Sequence, residues 1–150
     1  MFAFGQGALT VTPLQIAAMM NAIAGDGTWY PPQIVAGIIE QESLTMLEPF
    51  VSADPVRVCD ADTARILRSM LIDVVAEGIG RQAAPQAGGA GGKTGTAQTG
   101  QYTEAGEELL NYWFSGFWPA ENPRYTITVL QDAVLEPEVS SAAIFAEVAN

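Results

Sequence analysis

Histidine is absent from this chain of 150 residues, and cysteine and lysine each occur only once. The absence of histidine excludes a Ser-His-Asp triad, a Cys-His dyad and any histidine-ligated zinc site within the chain. The single cysteine, Cys59, excludes an internal disulfide, and without a histidine partner it is expected to be a small apolar residue near the start of a helix. Any chemistry in which the chain takes part must therefore use other side chains.

Positive charge is also scarce, because 6 Lys and Arg residues stand against 17 Asp and Glu residues, a formal net charge of −11. Binding of a nucleic-acid backbone needs clustered cations, so no nucleic acid is expected as a partner. The acidic groups at residues 104–108 and 136–138 lack the alternating spacing of a calcium-binding loop. We therefore predict no metal and no cofactor.

Long hydrophobic runs are missing too. No apolar stretch approaches the length of about 18 residues that a membrane-spanning helix needs. The first positive charge is Arg57, so the start of the chain lacks the basic region of a signal peptide. We expect this chain to be soluble, with no signal or anchor of its own. With 49% apolar residues, it has enough hydrophobic side chains to form the core of one domain.

Apolar residues spaced three and four apart predict three helices. The first begins at Thr12-Pro13, an N-cap followed by proline in the first turn. The second runs from a cap at Asp60 or Asp62 to about Glu77, and the third begins near Ser140-Ser141. The residues predicted to be buried on these helices are Ile16, Met19, Met20 and Ile23, then Leu67, Met70, Leu71, Val74 and Val75, and finally Ile144, Phe145 and Val148.

Alternating patterns predict strands between the helices. Residues 33–39 and 44–47 are predicted to form a short pair around an acidic turn. Residues 112–118 and 124–131 are predicted to form a longer hairpin, whose turn contains two prolines. The order of elements predicts an α+β fold, with an antiparallel sheet of about three main strands packed with helices, and residues 1–150 as one domain.

The segment Gly92-Lys93-Thr94-Gly95-Thr96 is compatible with two chemistries. Residues 87–94 match a relaxed phosphate-binding loop, which needs a buried strand before it and a helix after it. Residues 81–86 are not a buried strand, however, and residues 95–100 carry two glycines and no helical stripe. The neighbouring residues therefore favour the other interpretation, in which the segment is a strand at the edge of a cleft.

On such a strand, Thr94, Thr96 and Gln98 would alternate on one face and offer two hydroxyls and an amide to a ligand carboxylate. Gly95 has no side chain, so the backbone of a ligand could lie close to the strand. The ammonium of Lys93 would supply positive potential and assist proton transfer. For an isolated Lys-Thr-Gly, however, a surface lysine in a glycine-rich turn would be the favoured interpretation.

Lys-Thr-Gly does not stand alone in the sequence. Five segments occur in a fixed order, namely Gly5-Gln6-Gly7, residues 11–17, residues 74–78, residues 92–98 and residues 113–117. This series resembles the carboxy-terminal half of the transpeptidase domain of class B penicillin-binding proteins, and the resemblance covers essentially the whole chain. It implies part of the penicillin-binding, serine β-lactamase-like fold. In that family an active-site serine cleaves a D-Ala-D-Ala stem peptide of peptidoglycan and passes the acyl group to an amine, and β-lactams trap the serine.

The resemblance implies a role for each residue of the Lys93 segment. Lys93 and Thr96 would be catalytic, since Lys93 would lie within reach of the nucleophile and the N–H of Thr96 would be one oxyanion-hole donor. Thr94, Gly95, Thr96 and Gln98 would bind the substrate. Within that set the two threonines would hold the carboxylate of the substrate or β-lactam, and Gln98 would lie on the rim of the cleft.

Two signatures of the family are missing from this sequence. None of the six serines has lysine three residues later, and none has asparagine two residues later. We therefore expect a fragment of a peptidoglycan D,D-transpeptidase that is inactive by itself and has an exposed sheet edge at residues 125–130, which favours self-association.

The resemblance also implies where the parent enzyme acts. It is expected on the extracytoplasmic face of the bacterial cytoplasmic membrane, with membrane attachment through segments outside this chain, and with stem peptides and β-lactams as ligands. Two alternatives stay open. One is a non-catalytic binding or interaction module that keeps the carboxylate-binding strand, and the other is a P-loop nucleotide binder.

Overall fold

The computed structural model describes residues 9–150, in which three α-helices, a short 3₁₀ helix (Arg81–Ala83) and seven strands form an α+β fold. The predicted segment Gly5-Gln6-Gly7 lies outside the described residues. The helices are α1 (Pro13–Ala24), α2 (Ala61–Ala76) and α3 (Ser141–Ala149). The strands are β1 (Thr28–Trp29), β2 (Gly37–Ile39), β3 (Met46–Pro49), β4 (Val56–Arg57), β5 (Gly91–Tyr102), β6 (Glu108–Trp118) and β7 (Tyr125–Val134).

The main sheet has the order β5-β6-β7, and both of its strand pairs are antiparallel. This confirms the predicted hairpin, which is longer than expected because β6 and β7 extend past residues 112–118 and 124–131. The short pair β2–β3 also forms, but it is shifted to Gly37–Ile39 and Met46–Pro49. The pair β1–β4 was not predicted, because two residues per strand are too few to show an alternating pattern.

All three helix starts lie at the predicted caps. Thr12 and Gln15 form a capping box, in which the Thr12 hydroxyl accepts from the Gln15 amide at 3.2 Å. Asp60 accepts from the amide of Thr63 at 2.7 Å, and this bond is the largest of the causes that lower the pKa of the Asp60 carboxyl. Ser140 accepts from the amide of Ala143 at 3.1 Å. These caps satisfy amide groups that the first turn of a helix leaves without partners.

The core lies on both faces of the sheet. Phe114 of β6 packs against Phe145 of α3 with ring centroids 4.8 Å apart, and both side chains are fully buried. Phe117, also on β6, is fully buried in a second cluster with Met20 and Ala24 of α1. The helices therefore cover the sheet from two sides.

Some helix residues predicted to be buried are exposed. Met19, Met70 and Val148 are 49%, 57% and 63% exposed. On α1 the buried side chains are Met20 and three alanines, which let the helix lie close to the sheet. The apolar pattern of each helix thus includes residues on a face that no element in residues 9–150 covers.

None of the helices in residues 9–150 has both the length and the apolar character that crossing a membrane requires.

Candidate functional site

The segment around Lys93 lies inside strand β5. Its residues pair with β6 without a register shift from Gly91, opposite Phe117, as far as Gln98. This confirms the predicted strand. It also removes the basis for a phosphate-binding loop, because Lys93 and Thr94 do not join a strand to the N-terminus of a helix.

Packing explains Gly91 and Gly92 on this strand but does not explain Gly95. A Cβ on Gly91 would lie 2.2 Å from Cζ of Phe117, and one on Gly92 would lie 2.6 Å from Cζ of Phe114. A Cβ on Gly95 would meet nothing nearer than the Cβ of Trp113, at 3.4 Å, an ordinary contact. The fold therefore leaves room for a side chain at position 95.

The backbone amides of Thr94 and Thr96 point away from β6. A Cβ on Gly116 would lie 2.5 Å from the carbonyl oxygen of Gly91, so that carbonyl faces β6. In an antiparallel pair, successive residues direct their backbone groups alternately toward the partner strand and away from it. Counting from Gly91, the groups of both threonines face the side of β5 on which the described sheet has no further strand.

The lysine ammonium lies at this same edge. Nζ of Lys93 donates to the carbonyl oxygen of Thr94 at 3.0 Å and to its hydroxyl at 3.3 Å. The side chains of Lys93 and Thr96 are exposed, and Thr94 is half-buried. Four consecutive residues therefore present one cation, two hydroxyls and two outward-facing amides, which together suit an anionic, peptide-like ligand.

Gln98 lies farther along the strand and has a different partner. Its side-chain amide donates to the carboxylate of Glu108 on β6 at 2.9 Å. The structure thus brings Lys93, Thr94, Gly95 and Thr96 together, and it holds the Gln98 side chain against the neighbouring strand.

A cleft of about 140 Å³ opens beside Thr94, Gly95 and Thr96. Tyr112 and Trp113 of the neighbouring strand β6 also line it. The remaining wall comes from parts of the chain that are distant in sequence, namely Ile79, Gln82, Pro137, Ser140, Ser141 and Ala142. Sequence reasoning did not find this remaining wall, because nothing in the local pattern of these six residues indicates that they meet β5.

The buried serines of the described chain already have hydrogen-bond partners. The Ser115 hydroxyl lies 2.8 Å from that of Thr128, and the Ser141 hydroxyl donates to the carbonyl oxygen of Tyr112 at 2.9 Å. Residues 9–150 contain no cluster of three or more Cys, Asp or Glu residues that could hold a metal ion. The site around Lys93 consists of the open edge of β5 and the adjoining cleft.

Comparison with known proteins gives a consistent result. Residues 1–150 match the family model described as the penicillin binding protein transpeptidase domain. The chain is 38% identical to the penicillin-binding protein PbpB of Mycolicibacterium smegmatis over 97% of its length. It is 36% identical to the stage V sporulation protein D of Bacillus subtilis over 87% of its length. These alignments cover 24% and 20% of the two relatives, so the chain spans about a quarter of their length or less.

The fold agrees with a solved structure as well. The apo crystal structure of penicillin binding protein 3 from Mycobacterium tuberculosis superposes with a TM-score of 0.80 at 34% identity. The match covers 97% of this chain and 35% of that chain. The chain therefore belongs to the family of penicillin-binding protein transpeptidase domains.

Proposed function

We propose that this chain is the carboxy-terminal portion of a peptidoglycan D,D-transpeptidase domain and forms one wall of its active site. The observation that carries the proposal is the edge of β5, where the Lys93 ammonium bonds to Thr94 and the amide of Thr96 faces outward. This is the arrangement that a ligand with a carboxylate next to a reacting amide needs. The assembled enzyme acts on the extracytoplasmic face of the bacterial membrane, where stem peptides are cross-linked.

Some groups on β5 bind the ligand, and others take part in catalysis. The hydroxyls of Thr94 and Thr96 hold the carboxylate of the stem peptide or β-lactam, and Gly95 lets the ligand backbone lie against the strand. The N–H of Thr96 donates to the carbonyl oxygen as it becomes an oxyanion, and such a donor lowers the barrier by about 3–4 kcal/mol. Gln98 lies on the rim of the cleft.

The covalent step needs a serine that residues 1–150 do not supply in a Ser-x-x-Lys motif. That serine attacks the D-Ala-D-Ala carbonyl, the amide C–N bond breaks, and the terminal D-alanine leaves with a proton. An amine of a second stem peptide then takes the acyl group and releases the serine. Lys93 assists by its positive charge and by proton transfer at the nucleophile.

β-Lactams fit the same wall because they present an anionic group, a carboxylate in ampicillin, next to a strained amide. The Mycobacterium tuberculosis protein has been crystallised in complexes with aztreonam and with ampicillin. A chimera in which residues 1–150 replace the matching segment of that protein, hereafter the chimera, therefore provides the missing motifs. We expect the chimera to be acylated by ampicillin, and the 150-residue chain alone to remain unmodified.

Intact mass spectrometry after incubation with ampicillin checks both expectations. Acylation opens the lactam ring and adds the full mass of the antibiotic to one serine. A stable adduct on the 150-residue chain alone would contradict the proposal, as would a folded chimera that gains no mass. The unaltered Mycobacterium tuberculosis protein is the positive control.

The outer edge of β7 supports a second proposal, self-association of the isolated chain. β7 pairs only with β6 in the described sheet, so its other edge carries backbone groups without a strand partner. Such an edge is a template for pairing with a second copy. We expect the weight-average mass from static light scattering to rise with concentration, whereas a constant monomer mass would contradict this.

A further inference from the structure

One row of residues runs across the sheet at the level of Thr96. Tyr112 of β6 pairs with Thr96 on one side and with Gln131 of β7 on the other. Residues paired in this way share a face of the sheet, and so do residues two apart on one strand. Phe114, two residues after Tyr112, packs on Phe145, so the row lies on the face that α3 covers.

A buried serine ties α3 to this row. Ser141 is 4% exposed, and its hydroxyl donates to the carbonyl oxygen of Tyr112 at 2.9 Å. The same hydroxyl oxygen lies 2.9 Å from Nε2 of Gln131, which donates to it. Nε2 of Gln131 also donates to the carbonyl oxygen of Val139, just before α3, at 3.1 Å. One buried hydroxyl thus joins the helix to the second and third members of the row.

The ladder between β6 and β7 is irregular beside this row. The register shifts between Leu110 and Tyr112, so that two residues of β7 face Asn111 alone. Ala133 has a φ of 52°, and its N–H donates to the side-chain oxygen of Asn111 at 2.8 Å instead of to a strand carbonyl. The bulge interrupts the backbone hydrogen bonds between β6 and β7 here. The side-chain hydrogen bonds of Ser141 and Gln131 therefore help to hold Tyr112 in place.

We propose that Ser141 and Gln131 are positioning residues for Thr96, acting through Tyr112. They fix the β6 residue that pairs with Thr96, and through this pair they fix the direction of the Thr96 amide at the edge of β5. Ser141 lines the cleft, but its hydroxyl is engaged with the Tyr112 carbonyl oxygen and with Gln131, so its role is to hold the strand rather than to bind the ligand. The inference rests on the proposed function, in which that amide faces the reacting carbonyl.

The kinetic test uses two single variants of the chimera. Ser141→Ala removes the serine hydroxyl, and Gln131→Met removes the side-chain N–H donor but keeps a side chain of similar length. The control is Ala146→Gly, which weakens α3 one turn later and leaves the hydroxyl in place. The acylation rate constant at saturating ampicillin and the dissociation constant are measured separately, well below the unfolding temperature of every variant.

We expect either change at Ser141 or Gln131 to lower the acylation rate constant about tenfold, since a displacement of 1 Å at a reacting centre costs up to about 10²-fold. The dissociation constant and the Ala146→Gly rate constant should stay unchanged, and Ser141→Thr, which keeps a hydroxyl, should restore the rate. Equal rate constants in the Ser141→Ala, Gln131→Met and Ala146→Gly variants would overturn the inference.

A second readout does not depend on catalysis. In the 150-residue chain, NMR relaxation dispersion of the Thr96 amide reports whether β5 exchanges between conformations. Ser141→Ala should increase exchange broadening at Thr96, and Ala146→Gly should not. If the parent chimera is not acylated, the proposed function fails, and this measurement still decides the inference. No difference at Thr96 between the two variants would then reject it.

Discussion

Replacing Lys93 by alanine in the chimera is expected to slow acylation by ampicillin about 10²–10³-fold. The ammonium lies at the edge of β5, 3.0 Å from the carbonyl oxygen and 3.3 Å from the hydroxyl of Thr94. It is the only lysine in a chain of net charge −11, so nothing else in this segment supplies positive charge to an anionic ligand. The rate constant is followed by stopped-flow or mass spectrometry.

Arg124→Ala is the matched control for loss of one exposed positive charge. Arg124 lies at the turn before β7, away from the open edge of β5, and its replacement should leave the rate constant unchanged. Lys93→Arg separates charge from proton transfer, because a guanidinium keeps its charge but does not give up a proton at neutral pH. Similar rates for the Lys93→Ala and Arg124→Ala variants would show that Lys93 has no part in acylation.

Replacing Phe145 by alanine should lower the free energy of unfolding by about 3–5 kcal/mol. Phe145 is fully buried, and its ring centroid lies 4.8 Å from that of Phe114 under the strand that pairs with β5. The truncation removes apolar burial and leaves a cavity that the surrounding sheet and helix fill only in part. Urea unfolding followed by circular dichroism measures the loss.

Val148→Ala on the same helix provides the comparison. Val148 is 63% exposed, so removing two methyl groups there should change the free energy of unfolding by less than about 0.5 kcal/mol. The sequence alone predicted that both residues are buried. Losses of equal size at the two positions would contradict the orientation of α3 described above.

Local patterns in the sequence were sufficient to predict where the three helices begin and that Lys93 lies on a strand. The caps at Thr12, Asp60 and Ser140 and the strand containing Lys93 each depend on a few neighbouring residues. All four were among the predictions, although the sequence left the second cap open between Asp60 and Asp62. Each of these elements is favoured by its own chemistry, whatever packs against it later.

Features that depend on distant contacts were not predictable. Met19 has the spacing of a buried residue but lies on an exposed face of α1, because Met20 and three alanines let the opposite side of that helix approach the sheet. Met70 is likewise exposed on α2, whose buried residues are Ala64 and Val75. The wall of the cleft at residues 140–142 meets Thr94–Thr96 only through the packing of α3 on β6. The bond from Gln98 to Glu108 likewise requires the hairpin register, which the sequence pattern does not specify.

Binding of the ligand carboxylate by the hydroxyls of β5 is tested most directly by comparing ampicillin with its methyl ester. The chimera and its Thr94→Val and Thr96→Val variants are acylated by each compound, and the rate constants are compared. A hydrogen bond to a charged group contributes about 1.5–3 kcal/mol, so each substitution should slow acylation by ampicillin about 10- to 100-fold. The ester has no carboxylate, and its rate should hardly change. If both compounds slow by the same factor, or neither slows, the carboxylate does not bind at Thr94 and Thr96.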